Sequence, residues 1–128
     1  MPKCLLPVRG ETILSRLLRQ VRAVGIQHVV LVVGYKHRMI EDELAAHESD
    51  WSFSSLSVLH NRGFVNSNNI CSIALCEEHF EQDVLIIESD VIFDDGVLPA
   101  FLANSDGSSL LIDSRRDYDH IDMKARIS

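Results

Sequence analysis

Val84-Leu85-Ile86-Ile87-Glu88-Ser89-Asp90 decides the fold. An apolar run rich in β-branched side chains predicts a strand over Asp83–Ile87, buried on both faces as in a parallel sheet. The run ends abruptly in acid at Glu88, Ser89 and Asp90. In open α/β sheets, ligands gather outside the carboxyl ends of the strands. A carboxylate placed there can hold a hard cation through oxygen. The alternative is that Asp90 ends the strand or caps the next turn.

Downstream, Asp95–Asn104 predicts a short helix with Val97, Leu98 and Phe101 inward, and Asp94 and Asp95 as its caps. Ser105–Ser108 is a turn, and Ser109–Asp113 a further buried strand. The charged tail Ser114–Ser128 holds a strand around Met123–Ile127. Upstream, Ile70–Phe80 has helical spacing at Ile70, Ile73, Ala74 and Phe80, with Ser67 or Asn68 as its cap. The polar loop Asn61–Asn69 follows a short strand, Leu56–Leu59, and Asp50–Ser55 is a loop. Lys36–His47 is a helix with Met39, Ile40, Leu44 and Ala45 as inner residues. His28–Val33 is a second fully apolar strand, stopping at Gly34-Tyr35. Thr12–Val24 is a helix: Ile13, Leu17, Leu18, Val21 and Val24 form one stripe. Arg16, Arg19, Gln20 and Arg22 face water, and Gly25 stops it. Arg9-Gly10 is a turn.

Helices alternating with continuous apolar strands imply an α/β fold, a mostly parallel sheet covered on both faces. The 128 residues contain no repeat, low-complexity tract or linker, so residues 1–128 read as one domain. A net charge of −7 argues against a nucleic-acid partner. No apolar run is long enough to span a membrane, and the amino terminus lacks a secretory core. Cys4, Cys71 and Cys76 are odd in number and lack Cys-x-x-Cys spacing. They read as small buried thiols in a reducing cytoplasm, not as a disulfide framework or zinc site.

Chemistry-bearing residues fall in few places. Lys3 could reach a phosphate as a mobile point charge, or stand solvated. Asn61, Asn66, Asn68, Asn69 and Ser72 crowd one loop and helix start. Amides there suit a base edge or ribose, and equally suit turns and caps. His37, His47, His60 and His79 show no metal-ligand spacing and read as surface residues. No nucleophile elbow, Walker loop or dinucleotide fingerprint is present.

In order along the chain, these motifs resemble the catalytic domain of the sugar-phosphate and choline-phosphate nucleotidyltransferases, a MobA-like NTP transferase domain. The resemblance rests on Pro2-Lys3-Cys-Leu-Leu-Pro-Val-Arg-Gly-Glu-Thr-Ile-Leu14 and Gly25-Ile-Gln-His-Val-Val-Leu-Val-Val-Gly-Tyr35. It also rests on Asn61 through Ser72, Glu88-Ser-Asp-Val-Ile-Phe93 and Asp122-Met-Lys-Ala125. It implies a three-layer α/β/α Rossmann-like fold and a Mg²⁺-dependent transfer of a nucleotidyl group from an NTP, with pyrophosphate released. Asn68-Asn69 is similar to the branch that uses CTP with phosphocholine or a related phosphorylated small alcohol. A sugar-1-phosphate acceptor and a non-catalytic nucleotide-binding remnant are the alternatives. Carried over by position, Lys3 contacts phosphate, Asp90 ligates Mg²⁺, and Lys124 faces the acceptor phosphate. Asn61 and Asn69 lie by the base, with Asn66 and Ser72 lining the same pocket.

The family carries a glycine-rich loop, G-x-G-x-R, ahead of its proline–lysine pair, and a second metal-binding aspartate near the carboxyl end of the domain. Met1 stands immediately before Pro2, and no later aspartate matches. The expectation is a chain truncated at both ends, with an incomplete sheet and weak or absent catalysis. Dimerisation or poor solubility would follow from its unpaired edges.

Overall fold

The computed structural model describes residues 1–111. Lys124, the tail Ser114–Ser128 and the end of the strand expected at Ser109–Asp113 lie outside the described residues. The fold is α/β: a small parallel sheet with packed helices.

A minimal hairpin comes first. Strands β1 (Pro7–Val8) and β2 (Glu11–Thr12) pair antiparallel, Val8 opposite Glu11. Arg9 and Gly10 join them with φ of 51° and 90°. Two positive-φ residues make the tight turn whose twist suits a two-residue hairpin loop. Glu11 therefore belongs to a strand. Helix α1 (Ile13–Ala23) follows, and the Thr12 side chain caps it by accepting from the Ser15 amide at 3.0 Å. Gly25, at φ 90°, supplies the left-handed residue just past its end.

The chain then forms β3 (His28–Val33), α2 (His37–Trp51) and β4 (Ser55–His60). β3 and β4 pair in parallel, from His28 opposite Ser55 to Val33 opposite His60. Both carboxyl ends thus stand together. The ladder is narrower than expected. Its residues are mostly half-buried, and only Val33 is fully inside.

Two clusters form the core. Leu14, Leu18, Val33, Ile40, Leu44 and Trp51 anchor one, and Leu17, Val21 and Leu98 anchor the other. Leu14, outside the stripe read from spacing, is 0% exposed and faces the first cluster. Met39 and Ala45 were expected inside and are exposed. Trp51 lies at the end of α2 rather than in a loop, and its carbonyl accepts from Arg22 Nε at 3.1 Å. A cation there also answers the negative end of the helix.

The stretch Asp83–Ile87 makes no ladder among the described residues. A strand exists only through hydrogen bonds to a neighbour, so an apolar run alone does not make one. The side chains still alternate. Leu85 and Ile87 pack on the second cluster, whereas Val84 and Ile86 are 49% and 58% exposed. The expected two-faced burial is therefore one-faced. The helix expected at Ile70–Phe80 is also broken. α3 covers Asn69–Ala74, and a separate 3₁₀ turn covers Glu77–His79. α4 (Val97–Asn104) buries Leu98, with Val97 and Phe101 half-buried. Leu110 and Leu111 are exposed, and they belong to no strand among the described residues. All three thiols are free; Cys4 is buried, but Cys71 is exposed and Cys76 half-buried.

Candidate functional site

The carboxyl ends of β3 and β4 set the frame. β3 exits through Gly34. A Cβ added there would meet Cβ of Phe64 at 2.6 Å. Glycine thus lets the Asn61–Asn69 loop lie directly against the strand exit. β4 exits through His60, and the Asn61 amide extends the ladder by donating to the Val33 carbonyl at 2.8 Å.

Asn61 then organises the loop with its side chain. Its Nδ2 donates to Ser67 Oγ at 2.9 Å and to Ser72 Oγ at 3.0 Å. Its Oδ1 accepts from the Gly63 amide at 3.1 Å. Asn61 and Ser72, both expected in one pocket, are bonded to each other. Ser67, weighed only as a cap, is the third member. Asn68 is the cap of α3, accepting from the Ile70 amide at 3.2 Å. Asn69 turns the other way, and its Nδ2 donates to Glu88 Oε1 at 2.6 Å. Asn66 sits in the exposed turn Phe64–Asn66 and is not joined to this network among the described residues.

The acidic end of the apolar run meets the amino-terminal motif. Lys3 stands on a 3₁₀ turn anchored by buried Cys4 and Leu5. Its Nζ lies 3.9 Å from Asp90 Oδ2, and both side chains are open to water. Burial pushes the Cys4 thiol up from its ordinary pKa. A thiol kept neutral there is packing, not a nucleophile.

Asp94 and Asp95 do not cap α4, whose Gly96 cap lacks a side-chain bond. The Asp95 carboxylate instead accepts from Gln20 Nε2 at 2.9 Å and lies 3.5 Å and 3.7 Å from Arg19 and Arg16. Gln20 was read as part of the polar face, yet it is 5% exposed. Its Nε2 also donates to the Phe93 carbonyl at 3.0 Å, and Arg16 donates to the same oxygen at 3.2 Å. These ties fix the Phe93–Asp95 segment on α1. Arg19 also bonds Glu11, with the shorter contact at 2.8 Å. The hydrogen bond from Gln20 holds the Asp95 carboxyl below its ordinary pKa, and the one from Arg19 does the same for Glu11.

The histidines depart from expectation too. His37 and His60 converge with Glu41. Sequence spacing shows only the His37–Glu41 pair; the third member arrives through the β3–β4 register. A groove of about 460 Å³ lies beside Thr12, Glu43 and Trp51, and none of the expected site residues lines it.

So the structure brings together Lys3 with Asp90, Asn69 with Glu88, and Asn61 with Ser72. Glu88 and Asp90 offer oxygen donors, the chemistry that suits a hard cation such as Mg²⁺; among the described residues they form no cluster of three ligands.

The family described as "MobA-like NTP transferase domain" matches residues 1–120. A similar protein is the CMP-5'-(3-aminopropyl)phosphonate synthase of Streptomyces rubellomurinus (strain ATCC 31215), 36% identical over 109 residues. The match covers 85% of this chain and 17% of that protein, so the chain spans about a sixth of the relative's length. No solved structure matches the chain.

Proposed function

Because the chain belongs to the MobA-like NTP transferase family, we propose that it binds CTP with Mg²⁺ and transfers the cytidylyl group to a small phosphorylated or phosphonylated acceptor, phosphocholine-like in size and charge. The proposal takes residues 1–128 as one cytoplasmic domain of the family's three-layer type, self-associating through the exposed Val84, Ile86, Val91 and Ile92. No described helix is long and apolar enough to cross a membrane.

The observation that carries the reading is convergence. Lys3 and Asn69 come from two separate segments, and the fold pairs Lys3 with Asp90 and Asn69 with Glu88 at the same acidic turn. The relative's printed name, a CMP-phosphonate synthase, supports cytidine as the base and a phosphonate or phosphate as the acceptor.

An acceptor oxygen attacks the α-phosphorus of CTP. A new P–O bond forms, the bond to the β-phosphate bridge breaks, and pyrophosphate leaves with the electron pair. Asp90, with Glu88 beside it, would hold the Mg²⁺. When bound, that ion neutralises charge growing on the non-bridging and leaving oxygens. The chain's own residues then have positioning and electrostatic roles. Lys3 gives a mobile positive charge to the phosphates. Asn61, Asn69, Asn66 and Ser72 bound the base, and Lys124 meets the acceptor phosphate.

Calorimetric titration with CTP, UTP, GTP and ATP, with and without Mg²⁺, tests the reading. Selective Mg²⁺-dependent binding of CTP is expected, and Asp90→Asn should abolish it while leaving the circular dichroism spectrum unchanged. Failure of every nucleotide to bind overturns the proposal, and equal binding by Asp90→Asn overturns the role given to Asp90. Pyrophosphate release with phosphocholine, aminoalkylphosphonates and sugar 1-phosphates then separates the acceptors.

A further inference from the structure

His37 opens α2 and Glu41 lies one turn on, so both project from the same helix face. His60 ends β4, directly before Asn61. The parallel register sets His60 opposite Val33, at the strand end from which the chain passes through Gly34 into α2. Two chain segments, the first turn of α2 and the end of β4, therefore deliver three side chains to the same point.

The geometry there is close. Glu41 Oε2 lies 3.3 Å from His37 Nδ1, and Glu41 Oε1 lies 3.0 Å from His60 Nε2. The two imidazoles meet edge to face, with centroids 4.6 Å apart. One donor atom from each residue falls within 4.8 Å of the others. Zinc bonds of about 2.0–2.2 Å at tetrahedral angles set neighbouring donors roughly 3.3–3.6 Å apart. The observed separations need only small side-chain rotations to reach that spacing. The side chains are about two-fifths exposed, so an ion can enter and keep water on its open side.

We propose that His37, Glu41 and His60 form a binding site for a first-row divalent transition metal, typified by Zn²⁺, separate from the oxygen-only donors at Asp90. Two imidazoles and one carboxylate select zinc-like ions over Mg²⁺. The ion ties the first turn of α2 to the end of β4. It thereby stiffens the start of the Asn61 loop.

The test is calorimetric titration of the tag-free protein with Zn²⁺ alone, with Co²⁺ as an optical probe of coordination. One Zn²⁺ per chain is expected, and Co²⁺ should give the intense visible bands of a low-coordinate site. His37→Gln, Glu41→Gln and His60→Gln should each weaken binding by more than about tenfold, the loss that even an outer-shell change causes. His47→Gln, near Glu43 and Asp50 elsewhere on α2, should bind as the parent does. Ring-proton shifts in the unaltered protein check the assignment without any variant. His37 and His60 should respond to Zn²⁺, and His28, His47 and His79 should not. No uptake, uptake unchanged in any of the three variants, or equal loss in His47→Gln overturns the site and leaves an adventitious ion only. None of these readouts depends on nucleotide binding.

Discussion

Lys3 Nζ stands 3.9 Å from Asp90 Oδ2, joining two motifs that lie far apart in the chain. An exposed pair of this kind contributes about 0–1 kcal/mol to stability. Its importance is therefore electrostatic placement. Lys3→Met should leave the urea midpoint nearly unchanged. It should weaken Mg²⁺–nucleotide binding at least about tenfold, or roughly 1.4 kcal/mol. Binding that survives the substitution, measured by calorimetry at two salt concentrations, would remove Lys3 from the site.

Gln20 is the buried hinge pin of the acidic segment. Gln20→Leu strips the part-buried Phe93 carbonyl of a donor, while the exposed Asp95 carboxylate can turn to water. An unsatisfied buried acceptor costs about 1–3 kcal/mol. Arg16 still reaches the Phe93 carbonyl, which puts the expected loss toward the lower end. Chemical denaturation measures it directly. A stability within a few tenths of a kcal/mol of the parent would show that Arg16 alone suffices.

Gly34→Ala tests the contact between the strand exit and the loop. The new methyl would fall 2.6 Å from Phe64 Cβ, which is fixed to the backbone and cannot swing away. The loop itself must move. Overpacking of this type costs about 1–3 kcal/mol. Amide exchange should accelerate across Asn61–Ser72 and stay unchanged at the carboxyl end of α2. Uniform acceleration over the whole chain would point to global destabilisation instead.

Acid should loosen the α1 ties first. Glu11 is held below its ordinary pKa chiefly by Arg19, and Asp95 chiefly by Gln20. As pH falls, the unfolded chain takes up these protons before the folded one does. The stabilisation is therefore complete above the ordinary carboxylate range and drains away as pH drops through the depressed folded values. Urea midpoints taken from about pH 6 to about pH 3 should fall. The fall should be shallower in Arg19→Gln, and an identical slope in that variant would contradict the assignment.

Much of the framework was readable in the residues because local rules decide it. β3 is bounded by the apolar run His28–Val33, and α1 by its Thr12 cap and Gly25. Where the reading failed, the deciding contact was distant. Asp83–Ile87 looks like a strand by composition, but pairing is a property of two segments. Gln20 sits among arginines and looks solvated, yet its partner, the Phe93 carbonyl, lies 73 positions away. Asp94 and Asp95 have cap chemistry, and α1 draws Asp95 elsewhere. In the site, the asparagine cluster was visible, but its division was not. Asn61 turns inward to Ser67 and Ser72, and Asn69 turns across to Glu88. The His37–Glu41–His60 grouping needs the strand register, which no spacing rule supplies.

Helix α1 has a second consequence beyond packing. Its Leu17 and Val21 lie under Leu85 and Ile87, while Arg16 and Gln20 grip the Phe93 carbonyl. The helix is the datum from which the acidic turn takes its coordinates, although the turn comes some seventy residues later. A variant anywhere along that stripe should therefore change affinity at Asp90 from a distance. Lost ligand binding in an α1 variant would mark a misplaced carboxylate, and says nothing about contact between α1 and the ligand.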